Sequence, residues 1–214
     1  MKKNLLGVLC GVAWGLVVPA ALLAQGPTFD CTKAQGEVEQ LVCSDPALAE
    51  LDRKLDQVYQ AAAAKATGKL AARLRAEQRG WVKGRNDCWK AKGRETWLTA
   101  TWTVNTVQGC VDGQYRLRTS ELQSVWRLVP LKTVAYACQN NPANEVVANF
   151  FATEPATIRL ERGDRTATMW CVGTASDGKY EGQNVSLVHK GSEMQVRWLN
   201  TDTGKTDELD CQAR

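Results

Sequence analysis

The sequence has very little histidine and lacks the usual motifs of metal and nucleophile sites. His189 is the only histidine among 214 residues, and none of the eight cysteines are spaced as C-x-x-C. Because zinc sites are built from several such ligands, no metal is expected. A G-x-S-x-G turn is also absent, so the nucleophile elbow of the α/β-hydrolases is not present. The sequence predicts no cofactor and no enzyme; a hydrolase with an unrecognised carboxylate pair is the least favoured alternative.

The sequence also lacks a large excess of charge of either sign. The chain carries 27 basic and 23 acidic residues, for a net charge of +4 at pH 7. Proteins that bind nucleic acid present a clustered basic surface, which so balanced a composition does not favour. No nucleic-acid partner is expected.

Long apolar runs are confined to the N-terminus. Lys2 and Lys3 precede an almost unbroken apolar stretch from Leu5 to Leu23, and polar sequence begins after Ala24. This pattern is typical of a secretory signal peptide, assigned to residues 1–24. The alternatives are an uncleaved membrane anchor and, less favoured, a lipoprotein signal at Cys10. Each places the folded part outside the cytoplasm, in the periplasm or secreted, with membrane attachment only if the segment is uncleaved or lipidated.

Export makes disulfides the default interpretation of the cysteines. Without Cys10 seven cysteines remain. Seven is an odd number, so one of them lies outside any set of intramolecular disulfides.

The first half of the chain follows a helical period. From Thr32 to about Leu122 apolar residues recur every three or four positions. Thr32 with Gln35 fits a capping box, and Asp45 followed by Pro46 fits a helix start. Residues 25–123 are therefore predicted to form an antiparallel helical domain stapled by disulfides.

After a linker at 124–132, the period changes to two, with β-branched and aromatic residues between turn signals. Seven or eight short strands at this spacing suggest a small antiparallel β-barrel or sandwich over residues 133–214. The sequence thus predicts an α+β protein of two domains, and we take the barrel as the second. The candidate strands are Thr133–Gln139, Val146–Phe151, Thr157–Glu161, Thr166–Cys171, Val185–Val188, Met194–Leu199 and a piece that ends at Cys211.

Three segments of the helical half resemble the N-terminal domain of the LprI-type lysozyme inhibitors. They are FDCTKAQGEVEQLVCSDPALAELDRKLDQVY, QRGWVKGRNDC and CVDGQYRLRTSEL, within residues 28–123. Their order and spacing match that family at four cysteines and at Gln78, Trp81, Arg85, Tyr115 and Arg118.

The second half, about residues 133–213, resembles the membrane-bound inhibitor of C-type lysozyme. The YAC sequence at Cys138 and the terminal Cys211 match that family, which has a small β-barrel and an S-G-x-x-Y segment followed by a K-G turn. Ser176 stands four residues before Tyr180, and Lys190 with its following glycine begins ten residues later.

The match has three departures. Asp177 replaces the glycine of the family, with Gly178 one position later, and the aromatic-rich strand before the lysine is the plainer VSLVH. Cys171 is a cysteine that the family pattern does not contain.

The second resemblance implies an exported inhibitor that inserts a loop into the cleft of C-type lysozyme, its protein partner. Glycosidases act through two carboxyl groups. Ser176 would donate a hydrogen bond to one carboxylate, Lys190 would pair with the charge, and Tyr180 would brace the loop. The alternative is that these are ordinary turn residues of a non-inhibitory envelope protein that binds another partner. His189, beside this turn, is interpreted as a solvated residue at a strand end.

Two further expectations concern the pairing of the cysteines and the independent folding of the β half. Cys138 and Cys211 lie near the two ends of the β half, so a bridge between them would close the barrel. In the helical half we expect Cys43–Cys88 and Cys31–Cys110, because antiparallel helices bring these ends together; Cys171 is left over. Residues 131–214 are expected to fold alone.

Overall fold

The computed structural model describes residues 25–99, 102–172, 178–201 and 203–214. The predicted signal peptide at residues 1–24 lies outside the described residues. Within these ranges, no helix is both long and apolar enough to span a bilayer.

The first half is helical. Its elements are a 3₁₀-helix at Cys31–Lys33, α1 at Glu37–Ser44, α2 at Pro46–Lys65, α3 at Gly68–Asn86, a 3₁₀-helix at Asp87–Ala91, the two-stranded pair β1 (Thr96–Trp97) and β2 (Thr103–Val104), and α4 at Val107–Val125. The predicted start of α2 is confirmed, because the Asp45 carboxylate accepts the backbone N–H groups of Ala47 and Leu48. The capping box at Thr32 is not formed; α1 begins five residues later, after Gly36.

The apolar stripes of these helices converge on α4. Leu48 and Leu55 of α2 are 1% and 3% exposed, and they belong to one core with Val111 and Leu122 of α4. Burial of such side chains stabilises the helical half by about 1.5–3 kcal/mol for each residue. The helical core is therefore a single cluster with α4 at its centre.

The disulfides of the helical half correct the expected pairing. Cys31 is bonded to Cys43, and Cys88 is bonded to Cys110. The expected pairs Cys43–Cys88 and Cys31–Cys110 are therefore wrong. The physical reason is local: the 3₁₀-helix that carries Cys31 folds back on α1, and the 3₁₀-helix that carries Cys88 packs on the first turn of α4. Each bridge consequently joins neighbouring elements.

The second half is a closed eight-stranded antiparallel barrel, which confirms the predicted α+β fold. Its strands are β3 (Pro130–Cys138), β4 (Asn141–Phe151), β5 (Thr157–Arg162), β6 (Arg165–Cys171), β7 (Lys179–Gly182), β8 (Val185–Lys190), β9 (Glu193–Leu199) and β10 (Thr206–Ala213). Each strand pairs with the next along the chain, and β10 closes on β3. The strand that the sequence interpretation omitted is β7, because KYEG is short and polar.

The barrel interior is apolar. Alternate residues of each strand point inward and form one cluster that includes Tyr136, Ala148, Met169, Leu187 and Val196. Cys138 and Cys211 are directly opposite each other on β3 and β10 and form the disulfide expected to close the barrel. Cys171, at the end of β6, takes part in none of the three bridges.

Helix α4 also contacts the barrel. The indole N–H of Trp170 on β6 donates to Ser120 Oγ of α4 over 2.8 Å, and Ser120 is fully buried. Arg116 of α4 pairs with Glu154 between β4 and β5, at 2.8 Å. The same helix thus packs on the helical core with one face and on strands β5 and β6 with another.

Candidate functional site

The candidate site lies at one end of the barrel. Because the strands are antiparallel, alternate connections meet at the same end. This end collects the start of β3, the β4–β5 and β6–β7 connections, the β8–β9 turn and the end of β10. The sequence-predicted site residues all belong to the β6–β7 connection, to β7 and to the end of β8, so the topology brings these segments together.

Gly178 fixes the point at which the chain re-enters the barrel after the β6–β7 connection. Its φ is +61°, and a Cβ at this position would overlap the carbonyl oxygen of His189. The N–H of His189 donates to the Gly178 carbonyl over 2.8 Å. Only glycine combines this backbone conformation with so close an approach. The residue before β7 is therefore held against the residue before Lys190.

Lys190 is the last residue of β8 and is exposed, with Glu193 as its partner in the β8–β9 ladder. Ser176 lies outside the described residues, as does Asp177. The contacts of Lys190 and of Gly178 therefore define the described part of this candidate site.

Tyr180 lies on β7, opposite Leu187 of β8. It is half-buried and packs against the barrel core. Burial raises the pKa of its phenol above the usual range, and the neighbouring Cys171 adds to that rise. Tyr180 therefore belongs to the barrel wall, between Cys171 of β6 and Leu187 of β8.

The interpretation of His189 as a solvated residue at a strand end is wrong, because the side chain faces the barrel interior and contacts aromatic rings. It is half-buried, and its ring packs 5.1 Å from the ring of Phe150 and 6.3 Å from that of Tyr136. Burial lowers the pKa of the imidazole; a hydrogen bond with the Gly191 backbone opposes this effect, and the charge of Lys132 adds to it. The available signal was its parity, since Val185, Leu187 and His189 alternate along one face of β8.

The helical half contains a separate polar centre. The Tyr115 hydroxyl donates to Asp52 Oδ1 over 2.8 Å and accepts from Arg85 Nη1 over 2.6 Å. Burial raises the pKa of Tyr115 far above its usual value. The Arg85 guanidinium also lies 5.6 Å from the centre of the Trp81 ring. Five residues that support the first resemblance meet here or beside it: Trp81, Arg85 and Tyr115 at the centre, Gln78 in the cavity lined by Asp52 and Arg85, and Arg118, whose Nε donates to Gln78 Oε1 over 3.1 Å.

These features define a two-domain α+β protein in which a disulfide-closed barrel presents an exposed lysine beside a glycine-anchored connection. Among the described residues, no group of three His, Cys, Asp or Glu side chains is placed to hold a metal ion.

Each half of the chain matches a known family model. Residues 31–122 match the family model of the lysozyme inhibitor LprI. Residues 136–204 match the model of the membrane-bound lysozyme-inhibitor of c-type lysozyme. The two resemblances stated from the sequence are confirmed, in the same order along the chain, and both matched families are described as lysozyme inhibitors.

Similar proteins include the lipoprotein LprI of Mycobacterium bovis and that of Mycobacterium tuberculosis, each 35% identical to this chain over 83 residues. That stretch covers 39% of this chain and 41% of each relative, so the match spans less than half of the curated relatives. No solved structure matches the chain significantly.

Proposed function

We propose that this protein is an exported inhibitor of C-type lysozyme that inserts the β6–β7 connection and the β8–β9 turn into the active-site cleft. The observation that carries the proposal is the contact of Gly178 with His189, which anchors one end of the β6–β7 connection beside Lys190. The family matches to both halves of the chain support lysozyme as the protein partner.

Chain connectivity limits how far Ser176 lies from this anchor. Consecutive Cα atoms are about 3.8 Å apart, so the Cα atom of Ser176 is within about 7.6 Å of that of Gly178. The catalytic carboxyl groups of glycosidases are about 5–10 Å apart. In this proposal, a hydroxyl and an ammonium attached to these two segments would address both carboxylates.

The chemistry of the two groups suits that target. The Ser176 hydroxyl would donate a charge-assisted hydrogen bond to one carboxylate, and the Lys190 ammonium would pair with the negative charge of the cleft. Tyr180 would brace the connection from the barrel wall. The inhibitor occupies the cleft and performs no reaction of its own.

Location follows from the same proposal. A cleaved signal at residues 1–24 would release the protein into the periplasm or the medium, where a lysozyme acts on cell walls. The domains would be residues 25–123 and 133–214, joined by 124–132.

Inhibition constants of single variants test the mechanism. Lys190→Ala should weaken inhibition by about 2–5 kcal/mol, mainly through faster dissociation, because a lysozyme carboxylate would be left buried without its partner. Ser176→Ala should cost about 1.5–3 kcal/mol. Because both groups address one cleft, the double variant should lose less than the sum.

Lys205→Ala is the matched control. Lys205 is exposed in the β9–β10 connection at the opposite end of the barrel, so its removal should change little. If folded Lys190→Ala inhibits as well as the parent, the insertion mechanism is wrong. If the parent itself does not inhibit lysozyme, the alternative of a non-inhibitory envelope-binding protein is favoured.

A further inference from the structure

The described residues at one end of the barrel, which we call its mouth, line a cavity of about 620 Å³. All of the lining residues belong to the barrel half: Lys132, Val134, Tyr136, Phe150, His189, Gly191, Ser192 and Ala213. Binding sites for small molecules in proteins have volumes of about 300–1,000 Å³, and the mouths of β-barrels are one of their usual places.

The lining side chains point into the barrel. Val134 and Tyr136 alternate along β3, and Tyr136 is 1% exposed in the barrel core. Phe150 is directly opposite Lys132 in the β3–β4 ladder, and it also packs against that core. The cavity is therefore the part of the barrel interior near the start of β3 and the β8–β9 turn that side chains do not fill.

The lining is apolar except at the rim. Val134, Tyr136, Phe150 and Ala213 supply hydrocarbon and aromatic surface, and none of the lining residues that the structure describes is acidic. Burial holds the pKa of His189 below its ordinary value, so the imidazole is neutral at pH 7. Among the described lining residues, Lys132 is then the one charged side chain at pH 7, near the start of β3, the first strand of the barrel.

We propose that the barrel mouth binds an amphipathic monocarboxylate, with the apolar chain in the cavity and the carboxylate at the Lys132 ammonium. Charge complementarity selects this class, since the site combines an apolar interior with a single cation at its rim. A neutral alcohol of the same length would bury the same hydrocarbon but gain no ion pair. A dicarboxylate would place its second charge against the apolar floor, which is costly.

This site adjoins the proposed lysozyme contact, because Gly191 and Ser192 of the β8–β9 turn line the cavity, whereas Lys190 does not. Lys190 points away from the interior, because side chains alternate and His189 before it points inward. Ligand binding to the cavity is therefore measured on the protein alone, without lysozyme.

Calorimetric titration of the full chain with decanoate, below its micelle concentration, tests the proposal. We expect saturable binding of one decanoate per chain, with decanol at least tenfold weaker. Lys132→Ala should weaken decanoate at least fivefold and leave decanol unchanged, whereas Lys132→Arg should retain decanoate binding. Lys205→Ala, at the opposite end, should bind as the parent does.

A second variant addresses the cavity itself. Val134→Phe would occupy the mouth and should abolish binding of both ligands, with the fold checked by circular dichroism. Non-saturable binding to the parent, equal affinity for decanoate and decanol, or decanoate binding unchanged in Lys132→Ala would overturn the proposal. Because these readouts do not involve lysozyme, a failure here is distinguishable from a failure of the inhibitor mechanism.

Discussion

The two halves of this protein bury different chemistry. The helical half places Arg85, Asp52 and Tyr115 in its interior, with Arg85 only 4% exposed and Asp52 7% exposed. The inward-facing cluster of the barrel is formed by apolar side chains and the Cys138–Cys211 disulfide. One half thus has a charged centre joined by hydrogen bonds, and the other has an apolar interior closed by a covalent bond.

The difference follows from how each half satisfies its backbone hydrogen bonds and packs its core. In the closed barrel, the ladders satisfy the backbone and leave the interior free for apolar packing. In the helical half, the polar centre joins three helices, because Asp52 lies on α2, Arg85 on α3 and Tyr115 on α4. A buried network of this kind adds specificity at a high desolvation cost, so each member depends on the others.

The largest expected effect is a loss of stability when the polar centre of Arg85, Asp52 and Tyr115 is disrupted. Arg85→Met leaves the Asp52 carboxylate buried without a cation and should lower the free energy of unfolding by about 3–5 kcal/mol. Urea unfolding of the parent and the variant measures this loss.

The double variant Arg85→Met with Asp52→Leu is the matched control. It removes both charges and should recover much of the stability, because replacing a buried ion pair by apolar groups is often nearly neutral. If the single variant is as stable as the parent, the charged centre does not hold the helices together.

The next largest expected effect comes from the disulfides, of which one in each half is compared. Cys138 and Cys211 are 73 residues apart and Cys31 and Cys43 are 12 apart, so the chain-entropy model predicts stabilisation of about 4 and about 3 kcal/mol respectively. Replacing each pair by alanine and comparing denaturant midpoints tests this order. A larger loss from the shorter bridge would contradict the entropic account.

A smaller effect tests the contact between the halves. Ser120→Ala removes the acceptor of the Trp170 indole N–H and should cost about 1–3 kcal/mol, because a buried donor is left without its partner. Ser124→Ala is the control: it is equally buried, but its hydroxyl donates to the Glu121 carbonyl of its own helix. The Ser124 change should cost less.

Trp170→Phe completes a double-mutant cycle with Ser120→Ala. The two losses should be less than additive, since both remove the same hydrogen bond. Fully additive losses would show that this bond does not couple helix α4 to the barrel.

The smallest expected effect is a pH dependence in the barrel. The folded-state pKa of His189 is lowered mainly by burial, so between that pKa and about 6.5 the unfolded chain binds more protons. This contribution to stability is complete above about pH 6.5 and is lost as the pH falls through the window. Unfolding curves from pH 7.5 to 5 should show it in the parent and not in His189→Gln. An identical pH profile for both proteins would exclude it.

Much of the fold was predictable because its signals are local. The helical period, the Asp45 cap and the period-two strands each arise from residues near one another in the chain. Strand β7 was missed because Lys179–Gly182 lacks an apolar alternation, and its identity depends on pairing with β6 and β8. Folding of residues 131–214 alone stays a prediction, and the contact of Trp170 with Ser120 gives it a specific cost.

The disulfides show that local sequence signals do not determine every pairing of cysteines. Cys138 and Cys211 were paired correctly because they flank the β half, and closure of a sheet brings its first and last strands together. The helical cysteines were paired wrongly because periodicity does not state which helix ends meet. Two short 3₁₀-helices decided that pairing, by carrying Cys31 back to α1 and Cys88 to α4.

By itself, the sequence determined the two periods, the change from helix to strand, and the two resemblances to lysozyme inhibitors. Only the tertiary structure decided that Gly178 packs on His189 beside Lys190, that Arg85 and Asp52 share Tyr115, and that described residues at the barrel mouth line a cavity. The reason is physical. Periodicity reports which face of an element is apolar, whereas contacts between residues far apart in the chain depend on how the elements pack.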